Sequence, residues 1–233
     1  QRSCNEGPPR APLGTQPNTV PRFSCLMTLT LHMQYMVVPV LKAWDVLIMK
    51  PDCLLATLEE TRKKIGRFYD RGMGEQNTKA SLIEPILEAL GWDIRDPDEV
   101  HREFRGNPKD SPVDYALKLL RKPRLFLEAK GLGKDLSDRR WIAQILGYAT
   151  VAGVEWCVLT DGNHFRFFNA TAAVDAEEKL FREVKLSETE LLEVARTLSL
   201  ISRPNLEENL LDVLWEYYFS DRQIGRASCR ERV

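Results

Sequence analysis

Asp114, Glu128 and Lys130 are the residues of this 233-residue chain whose types and spacing are best suited to chemistry. Around Asp114, apolar residues at 113, 115, 117 and 119 alternate with Asp114, Ala116 and Lys118. In Leu125-Phe126-Leu127-Glu128-Ala129-Lys130, the side chains of Phe126, Glu128 and Lys130 fall on one side and those of Leu125, Leu127 and Ala129 on the other. A period of two is that of a β-strand, so two adjacent strands are expected. Arg121-Lys122-Pro123 between them is polar and holds a proline, which makes it the expected hairpin turn. With Lys122 at the midpoint, partners sum to 244, setting Asp114 opposite Lys130 and diagonal to Glu128. Side chains directly opposite lie ~5 Å apart and diagonal ones ~7–8 Å. Two carboxylates and an ammonium that close can hold a divalent cation and a water beside a phosphate, a set suited to phosphodiester hydrolysis.

Mg²⁺, or Mn²⁺ in its place, is the expected ion, because a hard cation takes carboxylate oxygens and water. Asp114 and Glu128 would supply carboxylates and Ala129 a backbone carbonyl. Lys130 would orient and help deprotonate the attacking water and offset charge on the phosphate. The bland alternative is a solvated strand face with ordinary charges. Against it, Leu125, Phe126 and Leu127 are apolar on both faces just before Glu128, as in a covered central strand. A Glu and a Lys buried at its end are costly unless paired or metal-bound. Gln144 and Tyr148 stand four apart, on one face of a helix. They could hold a phosphate or a nucleobase near the metal, orient Glu128, or be ordinary surface and core. Glu84, between Ile83 and Pro85, faces either the site or solvent.

The elements that must position these groups follow from periodicity. Leu54 to Tyr69 has helical spacing and stops at Gly72-Met73-Gly74. Asn77-Thr78 is the expected cap of a second helix, Lys79 to Leu90, with Leu82, Ile83, Ile86, Leu87 and Leu90 on one side, a kink at Pro85 and Gly91 as its end. A strand at Arg102 to Arg105 precedes the hairpin, and a helix from Ser137 to Ala152 follows it. Glu155 to Thr160, His164 to Phe168 and Phe181 to Leu186 read as strands, the last an edge. Leu186 to Leu198 and Leu206 to Tyr218 read as amphipathic helices. This order implies an α/β fold, a mixed central sheet flanked by helices, with further helices at the C-terminal end.

An apolar fraction of 43% and a charged fraction of 29% are ordinary for a globular domain. The net charge of −1 hides an imbalance: residues 101–140 hold eleven Lys and Arg against six Asp and Glu, a net +5 that leaves −6 for the rest. A positive field around acidic catalytic residues suits a polyanion, although a mixed solvated surface would look the same. Five scattered cysteines without a C-x-x-C pair suggest a reducing, cytoplasmic setting, and three scattered histidines offer no zinc site. Residues 1–48 read as a non-native or disordered upstream segment with Met49 as a plausible start. The uncharged run Phe23 to Leu41 is too short and too polar for a spanning helix, so no membrane association is expected. Residues 49–187 form the main domain, 188–222 a helical extension, and 223–233 an artefact, since Ile224 to Val233 back-translates into a sequencing-adapter-like run.

Asp114, the Glu128-Ala129-Lys130 triplet and Gln144 with Tyr148 resemble the active-site pattern of the PD-(D/E)XK nucleases, in the branch with a Q-x-x-x-Y element. Asn77-Thr78-Lys79-Ala80 through Glu84-Pro85, Leu90-Gly91-Trp92-Asp93, and then VDYAL, LEAK, LGKDL, QILGYA and VLTDG are similar to the N-terminal nuclease domain of type I restriction enzyme R subunits, over residues 54–187. The resemblance implies a restriction-endonuclease-like α/β/α sandwich and a Mg²⁺-dependent DNA endonuclease. It implies Asp114 and Glu128 as metal ligands, Lys130 as catalytic lysine, Glu84 as an accessory acid, and Gln144 and Tyr148 beside the site. DNA would be the substrate, with methylase and specificity subunits or a separate translocase as partners. The chain departs from the pattern where Val113 separates Pro112 from Asp114. It has no G-x-x-x-x-G-K-[ST], so no ATP site is expected within it. Two other readings stay open: a nuclease-like fold kept as a DNA-binding or assembly module, and a repair or junction nuclease.

Overall fold

The computed structural model describes residues 51–106 and 111–219. The expectations for 1–48, including the uncharged run at 23–41, and for 223–233 lie outside the described residues. Helix α1 (Pro51–Phe68) buries Leu54, Leu58, Thr61 and Ile65, three and four apart, on one face. A second helical stretch runs through α2 (Glu75–Thr78), a π-helical turn (Lys79–Ile83) and α3 (Glu84–Ala89). It starts earlier than expected, with Gly74 and not Asn77 or Thr78 as its N-cap. Pro85 lies in the first turn of α3, where a missing N–H breaks no bond, and the α-helical ladder gives way in the wider π turn just before it.

Among the described residues, six strands form one mixed sheet in sequential order: β1 (Val100–Phe104), β2 (Val113–Leu119), β3 (Lys122–Ala129), β4 (Trp156–Thr160), β5 (His164–Asn169) and β6 (Leu180–Lys185). All neighbours are antiparallel except β3 and β4, which the crossover helix α4 (Arg139–Ala152) joins in parallel. Asp138 caps α4 by accepting from Arg140 N, and Gly153 at φ +66° ends it. Then come α5 (Leu191–Ser199), α6 (Arg203–Glu207) and helical residues 210–219. The single helix expected from Leu206 to Tyr218 is thus divided, with Asn209 at φ +54° in the break.

Strand alternation distributes the helices over both faces. Ala116, Phe126, Cys157, Leu159 and Phe168 pack with Ile145, Leu146 and Ala149 of α4 in one buried apolar cluster. Tyr115 and Trp156 project the other way. The Tyr115 hydroxyl donates to Glu84 of α3, and the Trp156 indole meets Asp212 and the edge of Trp215. Among the described residues, no helix is long and apolar enough to cross a membrane, and Cys53 and Cys157 are both free.

The hairpin differs from expectation in a way that bears on the site. Its loop is Leu120-Arg121, both at positive φ (50° and 66°), with Leu119 paired to Lys122. Positive φ at both central residues is what a two-residue hairpin of matching twist requires. Pro123 is therefore inside β3, opposite Lys118. The register then shifts: Leu117 pairs with Leu125, so Arg124 is an extra residue on β3. A bulge is one of the few places a sheet tolerates proline. Without it, Asp114 would pair with Leu127 and face away from Glu128, because a one-residue slip exchanges faces. With it, partners sum to 242 and not 244, and the next step beyond Tyr115 and Leu127 sets Asp114 opposite Glu128.

Candidate functional site

Asp114 and Glu128 stand across from each other at the open end of the β2–β3 pair, where Cβ atoms of such partners are about 4.5–5.5 Å apart. Both are buried, at 7% and 4% exposure, as are Lys79 (6%) and Lys130 (7%). Four ionisable groups so deep in a protein must satisfy one another. Asp114 Oδ2 accepts from Ala129 N at 2.7 Å, and its Oδ1 accepts from the Lys79 ammonium. Glu128 Oε1 accepts from Lys130 Nζ at 2.7 Å and from Gln144 Nε2 at 3.4 Å. The Gln144 amide also donates to Tyr148 Oη at 3.2 Å. Lys130 Nζ lies 4.5 Å from the centre of the Trp141 ring, a cation–π contact from the first turn of α4.

The electrostatics follow from this packing. Burial first, and the Asp114 charge second, push the Glu128 carboxyl above its ordinary range despite the pull of Lys130. For Lys79, burial works against the charge, yet its hydrogen bond and attraction to Asp114, with Glu75 and Glu103 adding, hold it above its ordinary value. Glu128 Oε2 is buried with no hydrogen-bond partner among the described residues.

Asp114, Glu128, Lys130 and Gln144 are thus brought together, with Tyr148 one contact away. Lys130 stands beyond the end of β3 and bonds to Glu128; it is not opposite Asp114. Glu84 is elsewhere. It accepts from Arg102 Nε at 2.9 Å and from Tyr115 at 3.0 Å, and Tyr115 alternates to the face opposite Asp114. Beside the cluster a cavity of about 690 Å³ opens between the hairpin and α4, lined in part by Phe104, Val113, Phe126, Gln144 and Tyr148. Neither carboxylate lines it; Gln144 links the two.

Sequence reasoning missed the groups that hold this arrangement. Lys79 was legible in principle: it precedes Leu82 and Ile83 by three and four residues, on the apolar stripe of its helix. Thr78 Oγ1 accepts from Leu132 N at 3.1 Å, and Asp161 Oδ2 accepts from Gly133 N at 2.8 Å, anchoring the loop after Lys130. At Gly131 a Cβ would lie 2.9 Å from the Met73 carbonyl oxygen, so only glycine fits this approach.

Among the described residues, no three His, Cys, Asp or Glu side chains gather as a metal-ligand group. The pair Asp114 and Glu128 still fits a hard divalent cation: the donors are oxygens, and one buried oxygen of Glu128 lacks any partner. No family model matches the chain, and no curated protein or solved structure matches it either.

Proposed function

We propose that the chain is a Mg²⁺-dependent DNA endonuclease that hydrolyses phosphodiester bonds. The observation that carries this reading is two buried carboxylates facing each other from neighbouring strands, one with an unpartnered oxygen, beside a lysine two residues on. Asp114 and Glu128, with the Ala129 carbonyl, would hold the ion, which when bound polarises a phosphate and lowers the pKa of a water. Lys130 orients the attacking water and offsets charge on the phosphate, its position set by Glu128 on one side and the Trp141 ring on the other. Gln144 steadies the Glu128 carboxylate and ties it to Tyr148. The cavity beside Gln144 offers room for the nucleotide next to the scissile bond.

The six-strand mixed sheet with helices on both faces is compatible with a restriction-endonuclease-like sandwich. That finer assignment, a role in a type I restriction-modification-like system, and methylase, specificity or translocase partners rest on the order of the sequence motifs. The test is cleavage of duplex DNA by the purified chain with Mg²⁺ or Mn²⁺, expected to vanish in Asp114→Asn and in Lys130→Met. Equal cleavage by both variants, or cleavage in excess chelator, contradicts the reading.

One observation favours a second reading. Each carboxylate already has an ammonium partner, Lys79 on Asp114 and Lys130 on Glu128. A quartet neutral in itself would suit a DNA-binding or assembly module without catalysis. Calorimetric titration of Mn²⁺ into wild type and Glu128→Ala separates the two: the module takes up no metal in either, whereas the nuclease takes it up only with Glu128 in place.

A further inference from the structure

We propose that Lys79 and a divalent cation compete for the same oxygen of Asp114, and that Glu75 and Glu103 keep the Lys79 ammonium when the cation takes it. This rests on the metal reading given above and assigns that site a built-in exchange partner. Lys79 Nζ bonds Asp114 Oδ1 while lying 3.3 Å from Glu75 Oε1 and 3.5 Å from Glu103 Oε1. An ammonium has three N–H donors, and three carboxylates lie within 3.5 Å of this one, Asp114 and Glu103 as hydrogen-bond acceptors and Glu75 as an ion-pair partner. The three differ in depth: the Asp114 side chain is 9% exposed, those of Glu75 and Glu103 are 42% and 57%. Lys79 therefore stands between one inner and two outer anions. Losing Asp114 to a stronger cation leaves it neutralised at the rim, which avoids an unpaired buried charge.

The backbone supports the same arrangement. Lys79 opens a π-helical turn, a local widening frequent at functional positions. Glu103 falls between the pairs Arg102–Tyr115 and Phe104–Val113, the register position across from Asp114, and its φ is +50°. A glutamate in that conformation is strained, and the strain goes with a third carboxylate beside the ammonium. Lys130 is placed differently: its carboxylate partner is Glu128, and Trp141 covers it.

The experiment is calorimetric titration of Mn²⁺ into the full chain and its Lys79→Met variant, with thermal unfolding of each at rising Mn²⁺. Lys79→Met is expected to bind Mn²⁺ about tenfold more tightly and to gain more in unfolding temperature, because the competing cation is gone. Equal or weaker affinity in Lys79→Met overturns the exchange and leaves the metal reading standing. No Mn²⁺ uptake by either protein overturns both. Should Lys79→Met fail to fold even with Mn²⁺, Glu75→Gln combined with Glu103→Gln takes its place at exposed positions. That pair is expected to weaken Mn²⁺ binding several-fold, since the ammonium then has Asp114 alone, and unchanged affinity overturns the proposal.

Discussion

At the scale of single residues, Glu128 carries the most information about how the site works. Its carboxyl is raised above the ordinary value of about 4.5, chiefly by burial and then by Asp114. A raised folded-state value means the folded protein holds that proton more tightly than the unfolded chain does. The resulting stability is fully present below the ordinary value and is lost as pH climbs through the folded one. Without added metal, wild type should thus lose stability relative to Glu128→Gln as pH rises from below that ordinary value to above it. Urea denaturation of both proteins across that range checks this, and a difference that stays flat with pH refutes it. Gly131 makes a second residue-level case. Alanine there would set a methyl 2.9 Å from the Met73 carbonyl, a backbone atom that cannot swing away. The cost should be about 1–3 kcal/mol, read from the same denaturation, and it should move Lys130 enough to lower its contact with Glu128. A Gly131→Ala protein as stable as wild type would show that the Met73 and Lys130 segments are not in fact packed together.

The elements explain how those residues come to share a face. The hairpin loop Leu120-Arg121 holds two L-residues at positive φ, and Leu120 is 96% exposed, so nothing packs on it in return. Leu120→Asn with Arg121→Gly should stabilise the protein by about 1–2 kcal/mol, since these residue types adopt that conformation at lower cost. A denaturation midpoint unchanged or lowered would mean that the loop is not of this type. The same loop shows where sequence reading stops. Alternation made the two strands and their faces legible, because Leu125, Leu127 and Ala129 had to be covered. The turn was misjudged because Leu-Arg lacks the Asn-Gly signature and Pro123 looked like punctuation. Its true setting, inside a strand at a bulge, depends on pairing with Lys118, which no local pattern encodes. The expected register missed by two, an even number, so Asp114 and Glu128 still fell on one side; an error of one would have separated them. Glu84 is the opposite lesson. Its spacing on the helix was compatible with facing the cluster, but the contacts that decide its side of the sheet, Tyr115 and Arg102, are tertiary. Lys79 escaped notice because a lysine on an apolar stripe is ordinarily read as a flaw in the stripe, not as a buried partner.

For the molecule as a whole, charge distribution decides how a polyanion could approach. A net charge of −1 gives no general attraction, so the DNA binding proposed above would have to come from the +5 segment, residues 101–140. That segment supplies the hairpin, the loop after Lys130 and the start of α4. There Arg139 and Arg140 are 89% and 84% exposed, next to the Trp141 ring that covers Lys130. Both arginines are paired, with Glu177 and Asp138, but ion pairs made by arginines this exposed are weak in water and yield readily to phosphate. Each phosphate contact on duplex DNA adds about −0.9 to the slope of log affinity against log salt. Replacing Arg139 and Arg140 by alanine should therefore flatten that slope by about 1.8 and weaken binding evenly across sequences, since phosphate contacts carry no base readout. Fluorescence anisotropy of a labelled duplex at several salt concentrations measures both effects. A slope identical to that of wild type would place the DNA path away from the start of α4, and with it away from the side of the sheet on which Lys130 meets Trp141.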